Sequence, residues 1–160
     1  MNKEIVIQPM LSDDIPKLLE IWKNTPGVSL RKRDDSFEKL NLFLCRNPDY
    51  CFTAKGDEVV IGGVLCGSDT RRAIIYHTVV LKEYRNMGVG TRLMQTIEAA
   101  ARACGARMLV LETQTCNERA IAFYKKHGFS LIGFDLYSYS NDDPKRCEVR
   151  IEMGKKLIVR

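Results

Sequence analysis

Hydrophobic and polar positions alternate over residues 4–8, which predicts a first strand. A helix start signal at residues 12–14 and then apolar residues at helical spacing predict two helices before Pro48, because the residue before a proline disfavours helix. The apolar residues are Ile15, Leu18, Leu19 and Trp22 in the first helix, and Phe37, Leu40 and Leu44 in the second. The chain therefore begins as strand, helix, helix.

The remainder of the chain returns to strand patterns and then mixes the two types. Turn residues at 56–57 and 67–69 separate predicted strands over residues 50–55, 59–66 and 73–81, as in an antiparallel meander. A long helix with an apolar stripe ends at Gly105, and a strand over 108–112 must run parallel to its predecessor because a helix crosses between them. A helix over 118–127 and strands over 129–136 and 147–153 follow. The order β-α-α-β-β-β-α-β-α-β-β predicts an α+β fold: a mixed sheet of about seven strands flanked by about four helices.

Composition limits the function classes. The 160 residues are predicted to form one domain, residues 1–160, and no long apolar run indicates a signal peptide or a membrane span. We therefore expect a cytoplasmic protein. Six cysteines without a C-x-x-C pair predict free thiols, and two histidines, His77 and His127, do not predict a metal site. The net charge of +5 is spread among acidic residues, which argues against nucleic-acid binding.

The turn between the strand over 73–81 and the long helix carries the strongest chemical signal. Arg85-Asn86-Met87-Gly88-Val89-Gly90-Thr91 places glycines at a helix N-terminus, where unpaired amides bind phosphate. Thr91 stands where a Walker A loop needs lysine, and Leu93 stands where a dinucleotide fingerprint needs its third glycine. The turn predicts a phosphate site of another kind.

Two motifs resemble those of the GNAT superfamily of acyl-CoA-dependent N-acetyltransferases. Arg85-x-x-Gly88-x-Gly90 is similar to the R/Q-x-x-G-x-G/A pattern that holds the coenzyme A pyrophosphate in that family. The second motif, Asn117-x-x-Ala120-x-x-Phe123-Tyr124-x-x-x-Gly128-Phe129, follows in the expected order. The resemblance covers roughly residues 74–134.

The resemblance implies acetyl-CoA as cosubstrate, no metal, and a fold in which the fourth and fifth strands splay apart to admit the pantetheine arm. The implied cofactor contacts come from the end of the fourth strand, the glycine turn and the second motif. They are Val79, Val80, Leu81, Arg85, Asn86, Met87, Gly88, Val89, Gly90, Thr91, Arg92, Asn117, Ala120 and Tyr124.

Two catalytic residues are predicted. The resemblance implies that Tyr124 protonates the departing thiolate, and Glu112, at the end of the fifth strand, is the candidate base because some relatives carry a Glu at this spacing. An ordinary exposed glutamate is the alternative for Glu112, and His77 or a water chain could replace it as base. Strict alternation would place Tyr76 and Thr78 on one face of the strand and His77 on the other, unless a bulge intervenes.

The predicted function is transfer of an acetyl group to a primary amine by direct attack in a ternary complex. The acceptor is a small-molecule amine or a peptide or protein amine. The protein could also form a homodimer. We expect the acceptor to enter between residues 25–36 and 137–145, where Asp142 and Asp143 would attract a cation. The alternative is a non-catalytic acyl-CoA-binding module on the same fold.

Overall fold

The computed structural model describes residues 4–28, 30–137 and 148–157. Seven strands form one mixed sheet in the order β1-β2-β3-β4-β5-β7-β6, in which β4 and β5 are parallel and the other neighbours are antiparallel. The strands are β1 Ile5–Pro9, β2 Phe52–Gly56, β3 Val59–Ser68, β4 Arg72–Val80, β5 Met108–Gln114, β6 Ser130–Tyr137 and β7 Glu148–Lys156. The predicted fold class and element order are confirmed, and β7 runs three residues further than predicted.

Four α-helices cover the two faces of the sheet: α1 Ile15–Lys23, α2 Phe37–Arg46, α3 Val89–Ala103 and α4 Glu118–Lys126. On one face, Leu18 and Trp22 of α1 and Leu40 of α2 pack with sheet residues in one buried cluster. On the other face, Leu93 of α3 and Tyr124 of α4 belong to a second cluster. Each helix therefore buries its apolar stripe against one side of the sheet.

A buried carboxylate anchors the start of α1 to the sheet. Asp14 Oδ2 accepts hydrogen bonds from Leu11 N at 2.9 Å and from Thr53 Oγ1 at 3.1 Å, and Asp14 Oδ1 lies 2.9 Å from Lys55 Nζ. Asp14 is 3% exposed, so these partners, and not water, stabilise its negative charge. The network fixes α1 against β2.

We expect Asp14→Ala to lower the free energy of unfolding by about 3 kcal/mol, because it leaves the Lys55 ammonium half-buried and unpaired. Urea denaturation measures the loss. The exposed neighbour Asp13 supplies the control: Asp13→Ala should change stability by no more than about 0.5 kcal/mol. Equal losses in both variants would show that the network does not stabilise the fold.

Strands β4 and β5 pair over a short length and then diverge. Arg72–Ile75 pair with Met108–Leu111, and beyond these residues β4 stays with β3 as far as Val80 while β5 stays with β7 as far as Gln114. Residues 76–80 and 112–114 therefore border an opening in the sheet. Backbone groups along this border lack a neighbouring strand, so they can bind an amide-bearing chain.

A bulge changes the side-chain pattern where the strands diverge. Leu65 pairs with His77 and Cys66 with Ile75, which leaves Tyr76 as an extra residue in β4. The Tyr76 ring contacts Phe43 of α2 and the His77 ring contacts Trp22 of α1, with centroids 5.3 and 5.0 Å apart. Both residues thus face the α1–α2 side, and the prediction from strict alternation is wrong.

Candidate active site

The glycine turn presents the first amides of α3 to solvent. Asn86 has φ +64° and Gly88 has φ +79°, and α3 begins at Val89. A Cβ built on Gly88 would meet no atom within 4 Å, so the left-handed backbone and not crowding favours glycine there. Three residues of the turn are exposed: Asn86, Met87 and Gly88. The Val89 side chain is buried in the core, so a ligand at the turn would contact the backbone of Val89 and not its side chain.

Gly90 has a packing role that the sequence did not reveal. A Cβ at Gly90 would lie 3.1 Å from Phe123 Cε2 and 3.2 Å from Cζ, so the first turn of α3 packs directly on the ring from α4. His127 Nδ1 lies 2.8 Å from the Phe123 carbonyl oxygen and His127 Nε2 lies 3.1 Å from Thr91 Oγ1. Because the carbonyl can only accept, Nδ1 carries the proton. The end of α4 is thereby fastened to the start of α3.

Arg85 and Arg92 were both predicted to contact the cofactor, and their side chains lie in different places. Arg85 Nε donates to the Val80 carbonyl at 2.8 Å, which holds this guanidinium at the end of β4. Burial, followed by the charge of Arg119, lowers the pKa of Arg85. Arg92 Nη1 donates to the Ile5 carbonyl at 2.8 Å, so its side chain lies against β1. Arg119, which no sequence signal distinguished, adds positive charge near Arg85.

Leu81 was predicted to pair with the cofactor through its backbone, and both of its backbone groups have partners in the protein. Its N–H donates to the Ile61 carbonyl at 2.8 Å, and its carbonyl accepts from Tyr84 N at 2.9 Å. Val79 and Val80 remain on the border of the opening.

Tyr124 lies beneath the opening, on the α3–α4 side. Its ring packs edge-on against Phe123 and Phe129, with centroids 5.3 and 5.5 Å away. Burial raises the pKa of Tyr124, while the nearby Thr78 hydroxyl acts in the opposite direction. Thr78 Oγ1 has no well-formed hydrogen bond among the described residues. The phenol is therefore protonated at neutral pH and can donate a proton beside the diverging part of β4.

Asn117 caps α4 and also contacts the connection between α1 and α2. Its Oδ1 accepts from Ala120 N at 3.2 Å, as an N-cap does, and its Nδ2 lies 3.5 Å from the Gly27 carbonyl oxygen. Gly27 has φ +84°, and a Cβ there would lie 2.9 Å from Asn117 Nδ2. Asn117 is therefore the N-cap of α4, and the α1–α2 connection contacts the start of this helix.

A cavity of about 670 Å³ lies on the α1–α2 side of the sheet. We call it the acceptor groove because the acceptor is predicted to enter beside residues 25–36, on this side. Its walls come from α2 and the segment before it, and its floor comes from β4, β5 and β7. Glu112 is exposed on the floor, and its cross-strand partner Glu152 also lines the groove. Two carboxylates at this position suit a cationic amine.

His77 lies in the wall of the acceptor groove with an acidic partner. His77 Nε2 is 2.8 Å from Asp35 Oδ1, and Asp35 Oδ2 accepts from Arg31 N at 2.6 Å. Burial alone would raise the pKa of Asp35, but the hydrogen bond and charge of His77 and the contacts with Arg31 bring that pKa below its ordinary value. Asp35 therefore stays ionised and fixes the orientation of the imidazole.

The two predicted catalytic residues lie on opposite faces of the sheet. Tyr124 belongs to the α3–α4 side and Glu112 to the acceptor groove, and the opening between β4 and β5 lies between them. An acyl group held in the opening would have an acid on the leaving-group side and a carboxylate on the side from which an amine approaches. This arrangement suits acyl transfer between a thioester and an amine.

The Acetyltransferase (GNAT) family model matches residues 15–129 of the chain. The chain belongs to this family. GNAT membership places both motifs, the glycine turn and the segment from Asn117 to Phe129, inside the matched domain.

Relatives and solved structures agree with the GNAT assignment. N-alpha-acetyltransferase 30 of Schizosaccharomyces pombe is 36% identical over 92 residues, which are 54% of this chain and 61% of that protein. The chain thus spans less than two thirds of the length of this relative. Naa20 of Chaetomium thermophilum, solved with a bisubstrate analogue, is 25% identical with a TM-score of 0.78 and covers 95% of this chain and 86% of that chain. Ard1 from Thermoplasma volcanium shares the fold, with a TM-score of 0.83 at 21% identity over 96% of this chain and 98% of that chain.

Some residues singled out from the sequence lie in the part of the chain that the structure does not describe. Asp142, Asp143 and Cys147 lie outside the described residues, and the five described cysteines carry free thiols. Among the described residues, no group of three His, Cys, Asp or Glu side chains could hold a metal ion. Within the same residues, no helix has the length and apolar character to cross a membrane.

Proposed function

We propose that this protein transfers the acetyl group of acetyl-CoA to a primary amine by direct attack in a ternary complex. The observation that carries the proposal is the placement of Tyr124 and Glu112 on opposite sides of one opening, directly before the phosphate-binding turn. GNAT membership and the N-acetyltransferase relatives support it. The order of elements supports a cofactor on the α3 side and an acceptor in the acceptor groove.

The residues present fit coenzyme A. The unobstructed amides around Gly88 would bind the pyrophosphate, with Arg85 and Arg119 adding positive potential. The borders of β4 and β5 that lack a neighbouring strand would take the pantetheine arm, whose amides can bind backbone groups at Val79 and Val80 other than the Val80 carbonyl, which accepts from Arg85 Nε. Bound acetyl-CoA supplies the activated acyl group.

The reaction needs a neutral amine and a protonated leaving group. At pH 7 a lysine-like amine with a pKa near 10.4 costs about 4 to 5 kcal/mol to deprotonate, and a peptide α-amine with a pKa near 8 costs about 1 kcal/mol. In either case Glu112 would draw the proton away through water. The neutral amine nitrogen forms a bond to the carbonyl carbon, the carbon–sulfur bond breaks, and the nitrogen releases its second proton to water to become the amide. Tyr124 gives its proton to the departing thiolate and is afterwards reprotonated.

The base assignment predicts a pH-dependent defect. We expect Glu112→Gln to lower kcat/KM by about tenfold or more at pH 7 and to recover part of it at higher pH, where more of the amine is neutral without help. Steady-state kinetics from pH 7 to about 10 measure the effect. Glu152→Gln is the matched control, since it removes the same charge from the same groove. Parallel losses at every pH in both variants would assign Glu112 to substrate binding.

We further propose that the acceptor is the α-amine of a peptide. The relative from Schizosaccharomyces pombe is named an N-alpha-acetyltransferase, and the acceptor groove runs beside α2 across three strands, which suits an extended chain. The free thiols of the described cysteines agree with a cytoplasmic location, which we also propose.

The decisive experiment is an acceptor screen with acetyl-CoA. Peptide N-termini, amino acids, polyamines and aminoglycosides are tested for free CoA release, and mass spectrometry identifies the acetylated product. Acetylation of any amine supports the proposal. A protein whose melting temperature rises with acetyl-CoA but which acetylates no acceptor would instead be an acyl-CoA-binding module.

A further inference from the structure

The acceptor groove has two chemically different ends. Its upper end lies at the opening, where Asp35 ahead of α2 reaches His77 of β4. Its lower end lies at the start of β4, because a Cβ on Gly67 of β3 would lie 3.1 Å from Asn47 Oδ1, just past the end of α2. Helix α2 therefore runs the length of the groove from the opening to Arg72.

Three cations that line the groove form no ion pair with any residue that the structure describes. Lys39, Arg46 and Arg72 are exposed, and among the described residues their side chains form no ion pair or hydrogen bond. Lys39 and Arg46 stand seven residues apart on α2, so they lie on the same helix face. The nearest hairpin acid to Arg72 is Asp69, whose Oδ1 accepts the backbone N–H groups of Arg71 and Arg72. We call Lys39, Arg46 and Arg72 the basic wall.

The acids on the groove floor occupy the upper end, where Arg150 of β7 also lines the groove and has a partner within the protein. Glu112 and Glu152 pair across β5 and β7, whereas Arg72 pairs with Met108, four residues below Glu112. At about 3.3 Å per residue, the acids and Arg72 are separated by roughly 13 Å along the strands. The separation matches an extended peptide whose amine is at Glu112 and whose third to fifth residues lie beside the lower part of the basic wall.

Given the proposed function, we infer that the acceptor groove selects peptides that carry acidic side chains at their third to fifth residues. The ammonium end of such a peptide meets Glu112 and Glu152, and its acidic side chains meet Arg46 and Arg72. A polycationic amine has the wrong charge for the lower end. Exposed charges interact weakly one at a time, but they add along the chain and weaken with salt.

The test compares three peptides of one length and one N-terminal residue, with glutamate, serine or lysine at residues three to five. We expect kcat/KM for the glutamate peptide to exceed that for the lysine peptide by about tenfold at low salt, with a smaller ratio at high salt. Arg46→Glu with Arg72→Glu should reverse the order. Lys125→Glu with Lys126→Glu, exposed sites on α4 outside the groove with the same change in net charge, should leave it unchanged.

Peptide affinity provides a second readout that does not depend on turnover. Fluorescence anisotropy of the same labelled peptides in the presence of CoA should show the same order of Kd, and an acetyl-CoA-dependent rise in melting temperature confirms that each variant is folded. Equal affinity for the three peptides, or an order that the groove variants do not change, overturns the inference. Charge-dependent binding without acetylation of any peptide would leave the inference standing and remove the proposed function.

Discussion

Tyr124→Phe is expected to lower kcat by about 10² to 10⁴, the usual contribution of a positioned general acid. The substitution keeps the ring packing against Phe123 and Phe129 and removes the hydroxyl beside Thr78. Because the ring stays, acetyl-CoA should raise the melting temperature of the variant as much as that of the wild type. Single-turnover measurements at saturating acetyl-CoA isolate the chemical step. A wild-type kcat would show that another group protonates the thiolate.

The pH dependence of kcat in the wild type follows from the burial of the Tyr124 phenol. Because burial raises the pKa of Tyr124, the phenol stays protonated up to and beyond the ordinary tyrosine value of about 10. A raised pKa means that the neutral phenol contributes its full stabilisation below pH 10 and loses it as the pH rises through the folded-state pKa. We therefore expect no decline of kcat from loss of this proton between pH 7 and 10.

Gly88→Asp should abolish the rise in melting temperature that acetyl-CoA produces, whereas Gly88→Asn should retain most of it. Both side chains tolerate the left-handed backbone, and neither meets an atom within 4 Å at the Cβ position. The two variants therefore differ mainly in a negative charge beside the predicted pyrophosphate. At 100 times Kd, acetyl-CoA binding stabilises the wild type by about 2.7 kcal/mol, which differential scanning fluorimetry resolves.

This pair separates charge repulsion from crowding. A substitution at Gly90 could not, because any Cβ there contacts the Phe123 ring. If Gly88→Asp and Gly88→Asn respond to acetyl-CoA alike, the amides at the start of α3 do not hold the phosphates.

Local patterns were sufficient to predict the order of elements. Glycines and prolines mark the turns, and the apolar spacing changes between strand and helix at each of them. The backbone of the glycine turn was also predictable, because the left-handed Gly88 and the helix start that follows it are encoded within six residues. These features depend on backbone geometry over short distances.

The acceptor groove was not predictable in the same way. The Asp35–His77 pair joins residues 42 positions apart, and the bulge at Tyr76 arises from the register of β3 against β4. The contact between Gly90 and Phe123 likewise depends on how α3 and α4 pack. Such features depend on contacts between segments that are distant in sequence, so the pattern of one segment does not predict them.

The contact between Gly27 and Asn117 limits how acceptor choice can be redesigned. A loop graft that replaces the α1–α2 connection would carry new side chains to the groove, but any residue with a Cβ at position 27 would strike the amide that caps α4. Because α4 also carries Tyr124, a graft without glycine at that point would disturb the proposed proton donor as well as the groove. Loop libraries for this scaffold should therefore hold position 27 constant and vary the residues on either side.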